Sequence, residues 1–190
     1  MAYSRPSGAA LAAIPCRPPH LVGLDGGDRK WKRLTEQANQ AYAQGDIGLA
    51  RATYEDALTE AERLFDAAQL TSHALPVPVI FNISCHNLAE LENRNGKADA
   101  AESYFRKAFD HLLIAARSPS SPLSLRLACM QHLKHALAML VQHLQATNAP
   151  NEAVDEIISL VRETAFAVFR VAQHAALADA ECPHCPINLS

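Results

Sequence analysis

The most constraining feature of this 190-residue sequence is a segment that occurs three times at nearly constant spacing. Its copies are centred on the turn residues Gly45, Gly96 and Asn148, which lie 51 and then 52 residues apart. After each turn, apolar residues recur in alternating steps of four and three, the spacing of one stripe on a helix. Each copy therefore predicts a helix, a tight turn and an antiparallel helix. One hairpin cannot bury its stripe alone, so we expect the three to stack.

The stripe positions of the second helices correspond across the three copies. They are Ala50, Tyr54, Ala57, Ala61 and Leu64, then Ala101, Phe105, Ala108, Leu112 and Ala115, then Ala153, Ile157, Leu160, Thr164 and Ala167. Only Thr164 interrupts the apolar pattern. No stretch alternates with the period of two that a strand requires. The sequence predicts an all-α fold, a stack of three antiparallel helical hairpins with about six helices.

Glycine and proline indicate the domain boundaries. Four of the seven glycines and four of the eleven prolines lie in the first 27 residues. This composition predicts a flexible N-terminal tail over 1–28, a helical domain over 29–178 and a cysteine-containing C-terminal tail over 179–190. Within the domain, Ser121 is a predicted N-cap for the fifth helix, and Pro150 precedes the sixth, which we expect to end in the mid-170s.

Charge and cysteine content exclude several classes of protein. The 17 basic and 20 acidic residues give a net charge of −3, which argues against a nucleic-acid partner or an anionic membrane surface. No apolar stretch approaches the roughly 20 residues of a membrane span. Five cysteines, an odd number, do not form the framework of a secreted disulfide scaffold. The predicted location is the cytoplasm, without a membrane partner.

The repeated segments resemble the tetratricopeptide repeat (TPR). A small residue midway along the first helix appears as Ala38, Ala89 and Val141, and the glycine turn appears as "QGD" at 44–46 and "NGK" at 95–97. The alanine, aromatic, alanine series of the second helix is present in the first two stripes. The resemblance covers roughly residues 30–165, but the helices are longer than those of the usual unit of about 34 residues. These elongated helices suggest a bundle-like stack of six helices rather than a strongly curved superhelix.

The resemblance also implies that the first helices of the units line a groove for an extended peptide. Asn39 and Asn87 occupy places where peptide-binding members have asparagines, whose carboxamides can pair with a peptide backbone. Thr35, His135 and Met139 stand where chaperone-binding members have cations, so we do not expect capture of a chaperone C-terminus. The groove residues expected from the resemblance are Lys32, Asn39, Tyr42, His86, Asn87, Glu90, Asn93, His135 and Gln142.

The motif Cys182-Pro183-His184-Cys185 has two interpretations with chemistry. A redox Cys-x-x-Cys needs its first sulfur at a helix N-terminus, whereas here Pro186 follows at once. Metal binding fits better, because Cys182, His184 and Cys185 are soft ligands suited to Cu(I) or Zn(II). A closed zinc site would need a fourth ligand from elsewhere. An inert tail is the third interpretation.

No catalytic motif accompanies the repeats. The sequence has no Gly-rich phosphate loop, serine nucleophile elbow or His-Glu-x-x-His. We therefore expect a non-enzymatic interaction module (an adaptor, scaffold or chaperone-like protein) with a protein or peptide partner and no cofactor. The alternative is an accessory protein that binds copper or zinc through its C-terminal motif. The last helix is apolar over much of its circumference, so a homodimer through this helix is a further expectation.

Overall fold

The computed structural model describes residues 27–70 and 75–181, and all regular structure within these ranges is helical. The six helices are α1 (Arg29–Ala43), α2 (Ile47–Leu70), α3 (Val77–Arg94), α4 (Ala98–Arg117), α5 (Leu123–Ala146) and α6 (Asn151–Glu181). They pair as three hairpins, with α3 packed on α2 and α5 packed on α4. The prediction of an all-α stack of helical hairpins is confirmed. The predicted tails, 1–28 and 179–190, lie largely outside the described residues.

The same turn closes all three hairpins. Gly45, Gly96 and Asn148 adopt φ values of +81°, +72° and +57°, a region that favours glycine and tolerates asparagine. In each case the next residue donates its backbone N–H to a carbonyl five residues back: Asp46 to Ala41, Lys97 to Glu92 and Ala149 to Leu144. This hydrogen bond is that of a Schellman motif, which satisfies carbonyls at a helix C-terminus. Asn148 therefore replaces glycine without a change of turn.

The predicted stripes form the core in the first two hairpins. Every stripe position from Ala50 to Leu64 and from Ala101 to Ala115 is buried. Of the five stripe positions in α6, only Ile157 and Thr164 are buried; Ala167 is exposed, and its neighbour Val168 is buried in its place. Hairpins on both sides cover α4, whereas α6 packs only on α4 and α5 and much less extensively. The prediction for Ala167 is therefore wrong.

Contacts between hairpins fix the stack. The ring of His111 on α4 stacks on Phe81 of α3 at 4.2 Å between centroids and meets Phe65 of α2 edge-on at 4.5 Å. The indole Nε1 of Trp31 on α1 donates a hydrogen bond of 2.8 Å to the Ser84 hydroxyl on α3. These contacts place α3 beside α1. Because α5 in turn contacts α3, the helices α1, α3 and α5 lie in series, with α2, α4 and α6 as their second helices.

Two predicted helix ends differ from the structure. Ser121 is not the N-cap of α5: Pro122 takes that place with an extended ψ of 139°, and the buried Ser121 hydroxyl has no hydrogen-bond partner among the described residues. The helix therefore starts one residue further along the chain than predicted. At the other end, α6 continues to Glu181 because residues 171–181 are alanine-rich and contain no glycine or proline.

Candidate functional site

Asn39 on α1 is an exposed amide whose orientation is fixed. Its Oδ1 accepts a 2.6 Å hydrogen bond from the hydroxyl of Tyr54, a buried residue of α2. Burial raises the pKa of Tyr54 to about 12, so the hydroxyl remains a donor at neutral pH. The Nδ2 hydrogens of Asn39 have no acceptor in the described part of the chain. The contact therefore leaves a positioned pair of donors at the surface.

Asn87 on α3 is half-buried, and its amide has no hydrogen-bond partner within the described ranges. A half-buried amide without a partner has lost part of its hydration and gained no bond in return. Asn87 therefore has both a donor and an acceptor available for a ligand. The exposed residues Asn93 and Gln142 also have no side-chain hydrogen bond to described residues.

Tyr42 and Glu90 meet through a residue that the sequence reading missed. The guanidinium carbon of Arg94 lies 5.7 Å from the centroid of the Tyr42 ring, and its Nε donates to Glu90 Oε1 at 2.6 Å. The hydrogen bond to Glu90 is the main cause of the raised pKa of Arg94, and the neighbouring Tyr42 adds to it. Arg94 thus joins α1 to α3 close to the turns. The spacing of Glu90 and Arg94, one helical turn apart, was the available signal.

His86 and His135 bring α3 and α5 together. Their ring centroids are 5.9 Å apart, and the ring of Phe105 on α4 lies 5.9 Å from His86. Burial, and then the neighbouring His135, lower the pKa of His86, so its ring is neutral at pH 7. His135 is exposed, whereas Nδ1 of His86 is buried without a partner among the described groups. The two imidazole rings form an aromatic surface between the two helices.

Lys32 lies at the start of α1, away from these contacts. Its Nζ is 3.1 Å from Oδ2 of Asp28, a fully buried carboxylate. Lys32 therefore neutralises a charge at the base of α1. Its contribution to a ligand site would require this ion pair to open.

A second set of charges locks the hairpins together. Glu92, which is 4% exposed, accepts hydrogen bonds from Arg51 Nε at 2.5 Å and Arg51 Nη2 at 3.1 Å. Because Arg51 belongs to α2 and Glu92 to α3, this bidentate pair connects the first hairpin to the second. A charged residue on the buried face of a helix needs an oppositely charged partner. The position of Glu92 on that face was therefore the sequence signal for an ion pair.

A cavity of about 260 Å³ lies between the end of α4, the start of α5 and the middle of α6. Among its lining residues is Arg126, a buried side chain whose Nε donates to the Ala116 carbonyl at 2.9 Å. A cation at a helix C-terminus is favourable, because the last carbonyls lack intrahelical partners. The contact attaches α5 to the end of α4 and is structural.

The candidate metal ligands Cys182, His184 and Cys185 lie outside the described residues. Within the described part of the chain, no three His, Cys, Asp or Glu side chains are grouped so that they could hold a metal ion. The two cysteines in that part, Cys85 and Cys129, are free and buried. Burial raises the pKa of each thiol to about 12, which makes them inert core residues.

None of the described helices combines the length and the apolar character that a membrane crossing requires.

Fold and surface together define a class: a three-hairpin helical stack with polar and aromatic side chains along its first helices. The chain belongs to the protein family of unknown function DUF2753, whose model matches residues 29–171. The match begins at the first residue of α1 and covers all three hairpins. No curated protein matches the chain, and no solved structure does either.

Proposed function

We propose that the protein is a non-enzymatic interaction module that binds an extended protein segment along α1, α3 and α5. The surface comprises the predicted residues Asn39, Tyr42, His86, Asn87, Glu90, Asn93, His135 and Gln142, with Arg94 added and Lys32 at its edge. A segment bound along these helices would bring its backbone amides to side chains that have unpaired hydrogen-bond donors and acceptors. The resemblance to the TPR supports the same surface.

The observation that supports the proposal most directly is the hydrogen bond from Tyr54 to Asn39. It holds the amide in one orientation before any ligand arrives, and binding therefore costs less side-chain entropy. Asn87, half-buried and without a partner, is the second contact. Backbone pairing of this kind gives affinity without strict sequence selection, which suits an adaptor.

The composition of the surface favours one type of segment. His86, His135 and Tyr42 provide aromatic rings, and Arg94 is already paired with Glu90. An uncharged or weakly charged segment with apolar side chains between its backbone amides matches these contacts. The cytoplasm remains the proposed location, supported by the two free, buried thiols Cys85 and Cys129.

The test is selection from a displayed library of random linear peptides, followed by affinity measurements on variants. Asn39→Asp keeps an acceptor for Tyr54 but removes the donors, and Asn87→Ala removes the second amide. We expect each change to weaken selected peptides by about fivefold to tenfold, the value of one or two hydrogen bonds.

Ser103→Ala, an exposed change on α4, is the matched control and should leave affinity unchanged. Peptides that bind all of these variants equally would locate binding elsewhere and refute the proposed groove.

The copper- or zinc-binding function is the second candidate, supported by the Cys-Pro-His-Cys motif itself. Its test is titration of Zn(II) or Cu(I) into the full chain and into Cys182→Ser/Cys185→Ser.

A further inference from the structure

The outward face of α6 carries large apolar side chains that are mostly exposed. Phe166, Phe169 and Leu177 are 72%, 59% and 60% exposed. Val168, which is 2% exposed, lies two residues from Phe166 and hence on the opposite side of the helix. The helix therefore buries one side in the stack and presents a second apolar side to solvent. We call Phe166, Phe169 and Leu177 the outer face of α6.

The repeat shows that the pair of exposed phenylalanines is specific to the third hairpin. The positions equivalent to Phe166 are Ile114 in α4 and Arg63 in α2, and both are exposed. The positions equivalent to Phe169 are Arg117 and Asp66, which are also exposed. A further hairpin stacked on the end of the array would leave this side uncovered, as it is in α2 and α4. Two phenylalanines at solvent positions thus indicate a partner that approaches from outside the stack.

The charged residues beside the outer face of one copy are complementary to those of a second copy. Glu163 and Arg170 are seven residues apart, so they lie on the same flank of α6. Neither has an ion-pair partner within 4.0 Å among the described residues. When two copies of one helix pack antiparallel about a two-fold axis, each flank meets the same flank of the other copy. Glu163 of one copy then meets Arg170 of the second copy, and the reverse contact forms by symmetry.

The apolar residues fit the same register. The midpoint between Phe166 and Phe169 lies within one residue of the midpoint between Glu163 and Arg170. Leu177 and Ile158, which is half-buried, are symmetric about the midpoint between Phe166 and Phe169, one residue from the centre of the charge pair. An antiparallel pair centred there packs Phe166 on Phe169 of the second copy and Leu177 on its Ile158. The contact would extend over about 28 Å of helix at 1.5 Å per residue, with aromatic anchors at its centre.

We propose that the protein forms a homodimer in which the outer faces of α6 pack antiparallel about a two-fold axis. The contact joins Phe166, Phe169 and Leu177 of both copies and closes two Glu163–Arg170 ion pairs. A dimer of this kind is isologous and closed, so it does not propagate into a filament.

The first test is the mass of the full chain in solution, by light scattering or sedimentation across a range of concentrations. We expect a dimer for the wild type and a monomer for Phe166→Ser/Phe169→Ser, with the dimer dissociation constant raised more than about a hundredfold. Both side chains are exposed, so helicity and Trp31 fluorescence should be retained. Ile114→Ser, the equivalent outer position of α4, is the control and should remain dimeric. A monomeric wild type, or a dimer unaffected by the two serines, overturns the proposal.

The second test addresses the register. Glu163→Arg alone and Arg170→Glu alone each place like charges in contact and should raise the dissociation constant at least about tenfold. Mixing the two variants pairs every charge with its opposite, so a heterodimer should form in the mixture although each variant alone is largely monomeric. A parallel arrangement does not bring these flanks together. Failure of the mixture to dimerise would refute the antiparallel register.

Discussion

The ion pair between Arg51 and Glu92 makes a measurable prediction about how the first two hairpins hold together. In the Arg51→Ala variant, the Glu92 carboxylate stays buried, with only Lys97 nearby at 3.9 Å. Removing one member of a buried pair costs ~3–5 kcal/mol, because the other charge is left without compensation. The Arg51 side chain is itself 30% exposed, so water can replace part of what is lost. We expect a destabilisation of about 2–3 kcal/mol.

The matched control is Arg94→Ala. Arg94 also pairs with a glutamate of α3, but its side chain and that of Glu90 are 49% and 44% exposed. Pairs of this kind contribute less than about 1 kcal/mol. At about 2–4 °C per kcal/mol for a chain of this size, the melting temperature should fall by about 4–12 °C for Arg51→Ala and by under about 4 °C for Arg94→Ala.

The assay is urea unfolding followed by Trp31 fluorescence and by circular dichroism. Trp31 is the single tryptophan, is 2% exposed and bonds to Ser84 on α3, so its emission reports the contact between the first and second hairpins. Arg51→Ala should lower the urea midpoint with both probes. Equal destabilisation by Arg51→Ala and Arg94→Ala would refute the reasoning, because burial would then not determine the cost.

Three other predictions follow from single contacts. Glu60 is buried beside Arg63 and Lys30, and the hydrogen bond from Arg63 holds the pKa of Glu60 below its ordinary value near 4.5. The contribution of Glu60 to stability is therefore complete above pH 4.5 and is lost as the pH falls through the lowered pKa. In Glu60→Gln, the free energy of unfolding should consequently fall less steeply at acidic pH than it does in the wild type. Gly96→Ala should lower the free energy of unfolding in urea by about 1 kcal/mol. This cost arises from the backbone φ of +72° alone, because no atom lies within 4 Å of the added Cβ. Asn148→Gly should not destabilise the protein. Titration of Zn(II) or Cu(I) should show metal uptake by the full chain and none by Cys182→Ser/Cys185→Ser; equal uptake would argue against the tail site.

The repeat made most of the fold predictable, because a stripe and a turn are local patterns. Asn148 illustrates this: its place in the repeat predicted a turn without glycine, and its positive φ explains why asparagine suffices. The pattern was insufficient for Ala167, since the choice between Ala167 and Val168 depends on what covers α6. The periodic pattern alone does not specify how α6 rotates against α4 and α5.

The polar contacts were less predictable than the core. Asn39 was expected at the surface, but its bond to Tyr54 depends on the pairing of α1 and α2. Arg51 and Glu92 are 41 residues apart, and only the stacking of two hairpins brings them together. Side-chain pairs across hairpins have no fixed spacing in the sequence, because they depend on helix rotation as well as register.

The two proposed surfaces lie on different helices, and this has a consequence for binding. The groove uses α1, α3 and α5, whereas the dimer uses the outer face of α6, so dimerisation would leave both grooves open. A dimer would then hold a partner with two copies of the recognised segment more tightly than one groove does, by the effective concentration of the second site.

Phe166→Ser/Phe169→Ser should therefore leave the affinity for a single free peptide unchanged and weaken retention on a surface densely coated with it. Asn39→Asp should weaken both. If Phe166→Ser/Phe169→Ser also loses affinity for the free peptide, the groove and the outer face of α6 are not independent. The helices α1, α3 and α5 alone would then not form the binding site.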